Sequence, residues 1–260
     1  MGLVYQNITD LKSWFKVAPP KGKEKQWKCT RSAMELARYI THNINELPDT
    51  IKKAIEYTGE TCDKDFTWQA EYETPLKGRG EGRNHDMAIF GDNIFIGVEA
   101  KADEPFDKTV VEWMNEGSEN KTNKLNRIND LCEIAFGENY NSDKHGELRY
   151  QLLTAFGGTV KEAEKDKKKA LLLVLVFTND NDYDKDKIIN NKNDFDKFAC
   201  ALGMQNQSKT IGSNEIVFAG MKETNGIKAY LVKAVIQIDP KCADCGWQDE
   251  CKIKQKNKRV

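Results

Sequence analysis

The sequence predicts an α/β (α+β) domain built round a mixed central sheet flanked by helices. Three observations carry this. Residues 170 to 177, "ALLLVLVF", form a continuous β-rich apolar run, the pattern of a strand covered on both faces. Residues 66 to 74, "FTWQAEYET", alternate apolar and polar, and the stretch from 84 to 101 reads as a short strand, a tight turn and a second strand. Between these segments lie stretches whose apolar residues recur at helical spacing. The order helix, strand, strand, strand, helix, strand, with further helices, is that of helices packed on a mixed sheet.

The elements follow in chain order. The lead-in to about Lys28, with Pro19-Pro20 and "KGKEKQWK", reads as irregular. A helix is expected from about Thr30 to Asn43, capped by Thr30 or Ser32, with Met34, Ala37 and Ile40 as its apolar stripe. A second helix runs from Pro48 to Tyr57, with Pro48 in its first turn. After the strand at 66 to 74, the loop "PLKGRGEGRN" is expected to be exposed. The hairpin comes next, then a helix near 124 to 136. "ELRYQLLTAFGGTVKEAEKDKK" reads as a helix weakened at Gly157-Gly158. The buried run 170 to 177, an amphipathic helix in "KNDFDKFACALGM" and an edge or half-covered strand in "IKAYLVKAVIQI" complete the series. The expected division is one domain over 1–240 and a basic, cysteine-containing tail, 241–260, packed on it.

With 260 residues the chain can bury a substantial core. A net charge of −1 with 31% charged residues excludes a polybasic protein but leaves room for a local basic groove. No basic start leads into an apolar run, and 170 to 177 is too short to span a bilayer, so a cytoplasmic protein without membrane partners is expected. Seven cysteines, an odd number, speak against a disulfide framework. Cys132 and Cys200 lie in apolar helical patterns and read as core.

The hairpin carries the chemistry. A two-residue turn at Gly91-Asp92 puts Asp86 across from Gly97, and one at Asp92-Asn93 puts it across from Glu99. Either register places Asp86, Glu99 and Lys101 on one face, with Ile89, Ile94, Ile96 and Val98 on the other. An odd-length turn would undo this. Two close carboxylates repel unless a cation lies between them. Oxygen ligands suit Mg²⁺ or Mn²⁺, which can activate water and stabilise charge on a phosphodiester. Lys101 would steady the nucleophile or the developing charge. An ordinary charged strand end is the plainer alternative.

Asp86 and Glu99-Ala100-Lys101, on a hairpin with these neighbouring helices, resemble the PD-(D/E)XK nuclease superfamily, the restriction-endonuclease-like fold. "SAMELAR" (32–38), "VEAKADEPF" (98–106), Trp113, "LC" (131–132) and "LRYQLL" (148–153) are similar to an uncharacterised bacterial family within it. The resemblance implies that Asp86 and Glu99 bind the metal, helped by the carbonyl of Ala100, and that Lys101 is catalytic. It also implies a role at the site for Glu35 on the first helix and for Gln151 on the helix after the hairpin. A solvated ion pair of Glu35 with Arg31 or Arg38, and a solvated Gln151, are the alternatives. One of Glu71 and Glu73 could line the site, though exposure is the expectation. His42 shares a helix face with Glu35 and could be a ligand or a helix-end residue. His85 stands where the superfamily often has proline.

"CADCGWQDEC" (242–251) spaces Cys242, Cys245 and Cys251 so that they can share one metal, with Cys29 available as a fourth ligand. Order and spacing resemble the iron–sulfur exonucleases of the same superfamily, which implies a [4Fe–4S] cluster. Zn²⁺ and free thiols are the alternatives, and Cys62 is a substitute ligand. Arg79 and Arg83 are candidates for phosphate contact, and Trp27, Trp68 and Trp247 for stacking on bases, with Trp68 expected in the core. The expectation is a divalent-metal-dependent nuclease acting on nucleic acid, DNA first. The alternatives are a catalytically silent nucleic-acid-binding or regulatory module, and a subunit of a larger complex.

Overall fold

One mixed sheet organises the computed structural model, which describes residues 3–4, 8–42, 44–62, 66–78, 80–102, 104–117, 121–178, 185–205, 207–211 and 214–238. Its strands are β1 (Leu3–Val4), β2 (Thr67–Thr74), β3 (Arg83–Phe90), β4 (Ile94–Lys101), β5 (Lys169–Thr178), β6 (Gln207–Ile211), β7 (Asn214–Thr224) and β8 (Ile227–Gln237). Their spatial order is β1-β2-β3-β4-β5-β8-β7-β6. β4, β5 and β8 are parallel neighbours at the centre, and β2-β3-β4 and β8-β7-β6 are antiparallel on either side. The helices are α1 (Leu11–Val17), α2 (Ser32–Thr41), α3 (Asp49–Tyr57), α4 (Val110–Asn115), α5 (Lys121–Phe136), α6 (Ser142–His145), α7 (Tyr150–Lys165) and α8 (Lys185–Ala201). None of them is long and apolar enough to cross a membrane.

Two apolar layers sandwich the sheet. In the first, Trp14 of α1, Met34 of α2 and Ile51 of α3 meet Ile89, Ile96 and Leu173. In the second, Leu131 of α5, Phe156 of α7 and Phe198 of α8 meet Phe95, Leu172 and Leu231. β5 alternates between them, Leu171, Leu173 and Leu175 in one and Leu172, Val174 and Val176 in the other. A strand covered on both faces gains nothing from polar residues, hence the unbroken apolar run.

Several local expectations are corrected. The lead-in holds α1, closed by a reciprocal Asp10–Ser13 capping box. The N-cap of α2 is Arg31 rather than Thr30 or Ser32, and it makes no side-chain cap; the Glu35 carboxylate instead reaches back to the Thr30 N–H at 2.8 Å. β8 is a central strand, not an edge: its lysine at 233 is buried, with Nζ 4.9 Å from the Phe195 ring centre. Cys132 is core, but Cys200 is exposed on α8. Trp27 is fully buried and tilted against Phe15, so it cannot stack on bases, while Trp68 stacks on Trp14 in the core as expected. The tail 239–260 lies outside the described residues, and with it Cys242, Cys245, Cys251 and Trp247; Arg79 does too.

Gly157-Gly158 does not interrupt α7, which runs unbroken across the sheet. The glycines let it approach closely: a Cβ at Gly157 would lie 2.4 Å from Leu131 Cδ2, and one at Gly158 2.9 Å from Arg83 Cβ. Gly97 on β4 does the same from below, since its Cβ would lie 2.3 Å from Thr159 Oγ1 and 2.7 Å from His85 Nδ1. Overpacking a filled core costs about 1–3 kcal/mol. Gly97→Ala is therefore expected to lower unfolding stability by about that much in urea titration; an unchanged midpoint would show that α7 is not wedged against β4.

Candidate functional site

The hairpin turn decides the register. The Gly91 N–H donates to the Ile94 carbonyl at 2.9 Å, so the two turn residues are Asp92 and Asn93. The ladder pairs Phe90 with Phe95, Ile89 with Ile96 and Met87 with Val98. One more step of this register sets Asp86 opposite Glu99. Ile89, Ile94, Ile96 and Val98 share the first core layer, as expected.

The strands then depart from simple alternation. Met87 and Ile89 pack in the first layer, but Arg83 and His85 lie on the α7 side, His85 with its ring 5.8 Å from that of Phe95. On β2, Trp68 and Ala70 belong to the first layer while Tyr72 packs with the second. Both switches fall at one place. Ala70 pairs with Met87 and Tyr72 with His85, while Glu71 and Asp86 between them drop out of the ladder. Glu71 has φ 51°, the left-handed region. Such a residue in a strand re-aims its neighbours, and its strain of about 1–3 kcal/mol is typically kept at functional sites. Freed from the ladder, the Asp86 carboxylate turns to the β4 edge and accepts the Ala100 N–H through Oδ2 at 2.6 Å.

The result is a buried charge cluster. Glu99 is fully buried, with Lys101 Nζ donating to its Oε1 at 2.7 Å and Arg83 Nη2 to its Oε2. α7 covers the face that carries these charges. Arg83, expected on an exposed loop, is the first residue of β3 and is 8% exposed. Burial lowers the Lys101 pKa, opposed by the Asp86 charge. Burial raises that of Asp86, opposed by Lys101 and Arg83. Glu71 is held by the Asn84 amide, and its pKa is pushed up to about 7, first by burial and then by the Asp86 charge. His85 is kept neutral by burial and by Arg83, with Nε2 3.2 Å from Thr74 Oγ1.

Among the described residues no group of three or more His, Cys, Asp and Glu side chains is arranged as a ready metal cage. The cause is visible at Glu99, whose two oxygens Arg83 and Lys101 already occupy. The donor chemistry nevertheless suits a hard cation: the Asp86 charge disfavours the ionised form of Glu71, and the Ala100 bond uses only Oδ2 of Asp86.

Beside Arg83 opens a cleft of about 520 Å³ lined by Lys21, Asn84, Arg127, Tyr150 and Gln151 among others. Trp113 and Tyr150 stack at its wall, ring centres 4.1 Å apart. Gln151, in the first turn of α7, thus lies in the cleft next to the charge cluster, its Oε1 accepting the Asp107 N–H at 3.2 Å. Glu35 is 2% exposed and bonded to the Thr30 N–H and Arg38. It lines a separate cavity of about 590 Å³ with His42 and Gln237, and His42 is the C-cap of α2. Cys29 is a buried thiol of the first core layer. Sequence reasoning underrated Glu71 and the Arg83–Glu99 pair, because a left-handed residue inside a strand leaves no mark in an alternation pattern.

No curated protein and no solved structure matches the chain. A family model described as "Domain of unknown function (DUF6946)" matches residues 7–237, which takes in every element from α1 to β8. The chain belongs to that family.

Proposed function

We propose that the protein is a divalent-metal-dependent phosphodiesterase, a nuclease of PD-(D/E)XK type acting on nucleic acid, with DNA the first substrate to test. The observation that carries this reading is the meeting of Asp86, the Ala100 N–H, Glu99 and Lys101 at the end of one hairpin. Asp86 and Glu71 would hold Mg²⁺ or Mn²⁺, with the Ala100 carbonyl and Glu99, whose oxygens Arg83 and Lys101 now take, as the further ligands that the resemblance implies. Such a cation, when bound, supplies Lewis-acid stabilisation and an activated water. Lys101 holds a proton at Nζ beside Glu99 and is placed to steady developing charge. Gln151 positions substrate from the start of α7. Glu35 would act on the site through α2. Cys29 with Cys242, Cys245 and Cys251 would carry a structural [4Fe–4S] cluster or Zn²⁺, which iron and zinc analysis of the purified protein distinguishes.

The test is incubation with single- and double-stranded DNA and RNA in Mg²⁺, Mn²⁺ or EDTA. Metal-dependent cleavage that EDTA abolishes is expected; cleavage in EDTA would sink the mechanism. The hold of Arg83 on Glu99 favours a second reading, a catalytically silent nucleic-acid-binding module. It predicts binding with no cleavage in either metal.

A further inference from the structure

We infer that the cleft beside Arg83 receives one unpaired nucleotide, so that the substrate is single-stranded or frayed nucleic acid; this deepens the nuclease reading and rests on it. The cleft's volume of about 520 Å³ is that of a small-ligand pocket rather than of a groove that cradles a duplex. Its lining has the two halves a nucleotide needs. One half is charged: Arg83 at the inner end, Arg127 on the wall and Lys21 at the rim outnumber the acids Glu81, which pairs with Lys21, and Asp107. The other is aromatic, the stacked pair Trp113 and Tyr150.

Two features point to a phosphate at the inner end. Arg83 is 8% exposed, yet its Nε–H has no hydrogen-bond partner, a donor left over after Nη2 binds Glu99. α7, 16 residues long, begins at the cleft with no side-chain cap. Its N-cap residue Arg149 pairs with Asp194 at 2.9 Å and donates from Nη1 to the Asp107 carbonyl at 3.1 Å, so its side chain does not cap the helix. The Tyr150 N–H is taken by the Lys108 carbonyl at 3.0 Å, so it is the following N–H groups of the uncapped start, with the positive helix dipole, that would serve an anion. A phosphate held there lies one side chain from Glu99 and Lys101, since Arg83 bridges the two places. The base of the same nucleotide then falls toward Tyr150. A base can present its face to an aromatic ring only when it has left its own stack, which is why the site selects unpaired strands.

Fluorescence anisotropy in EDTA tests this without any cleavage. The probes are a fluorescein-labelled single-stranded DNA, the RNA of the same sequence and the blunt DNA duplex. At least one single strand is expected to bind roughly tenfold or more tighter than the duplex. Tyr150→Leu should weaken single-strand binding by about 5- to 150-fold, the range for one lost base–aromatic stack, and leave duplex binding unchanged. Lys21→Glu, at an exposed position that cannot threaten folding, should weaken single-strand binding and flatten its salt dependence by about one to two phosphate contacts. Equal affinity for duplex and single strand would overturn the inference, as would wild-type binding by both variants. The two readings separate cleanly. Selective single-strand binding without metal-dependent cleavage removes the nuclease and keeps the pocket. Cleavage with no strand preference does the reverse.

Discussion

Lys101→Met is expected to lower metal-dependent cleavage by about 10²- to 10⁴-fold while leaving the protein folded, the usual worth of one positioned proton-holding group. The expectation rests on how Glu99 is shared. Its Oε1 takes Lys101 and its Oε2 takes Arg83. With Lys101 gone, Arg83 still neutralises the buried carboxylate, so no charge is stranded. Methionine fills the apolar space near Phe106, whose ring centre lies 5.5 Å from Lys101 Nζ. Glu99→Gln is the instructive contrast. It leaves two buried cations without their shared anion, and breaking such a pair costs about 3–5 kcal/mol. That variant should lose stability as well as activity. Single-turnover cleavage and urea unfolding of both variants check this. Wild-type cleavage by Lys101→Met would remove Lys101 from the mechanism.

This sharing of Glu99 also shows how far the sequence could be read. The strands of the hairpin, the layer occupied by Ile89, Ile94, Ile96 and Val98, and the buried run of β5 follow from alternation and composition, which report burial residue by residue. Asp86, Glu99 and Lys101 were legible for the same reason, since an even turn is the common one and it sets their register. Glu71 and Arg83 were not. Regular alternation puts Arg83 on the face opposite Asp86 and Glu99, and it crosses over where the left-handed Glu71 and its neighbour Asp86 leave the ladder. β6 and β7 were missed because β6, QSKTI, is largely polar and the short apolar run of β7, Ile216 to Ala219, cannot by itself be told from a buried helix segment. Lys233 disguised β8, since a buried lysine with its ammonium over an aromatic ring looks in sequence like an exposed one.

Glu71 gives the second large prediction, because its charge is held where a cation is proposed. Its pKa of about 7 lies above the ordinary 4.5, with burial the first cause and Asp86 the second. Between those values the folded state keeps a proton that the unfolded chain releases. Stability contributed by the protonated form is therefore lost as pH rises through this window, and the loss is complete above about 7. At 1.36 kcal/mol for each pKa unit, reduced because the side chain is only half-buried, the loss is about 1–3 kcal/mol. Glu71→Gln keeps an acceptor for Asn84 and removes the charge. It should exceed wild type in stability by about 1–3 kcal/mol near pH 8 and match it near pH 4. A divalent cation relieves the same repulsion and needs the deprotonated ligand, so its binding should strengthen as pH rises past about 7. Thermal melts with and without Mn²⁺ across this range are the measurement. The Mn²⁺-induced rise in Tm should be larger at about pH 8 than at about pH 6, and Glu71→Gln should abolish the difference. A rise that is equal at both pH values, and unchanged in the variant, would place the cation away from Glu71 and Asp86.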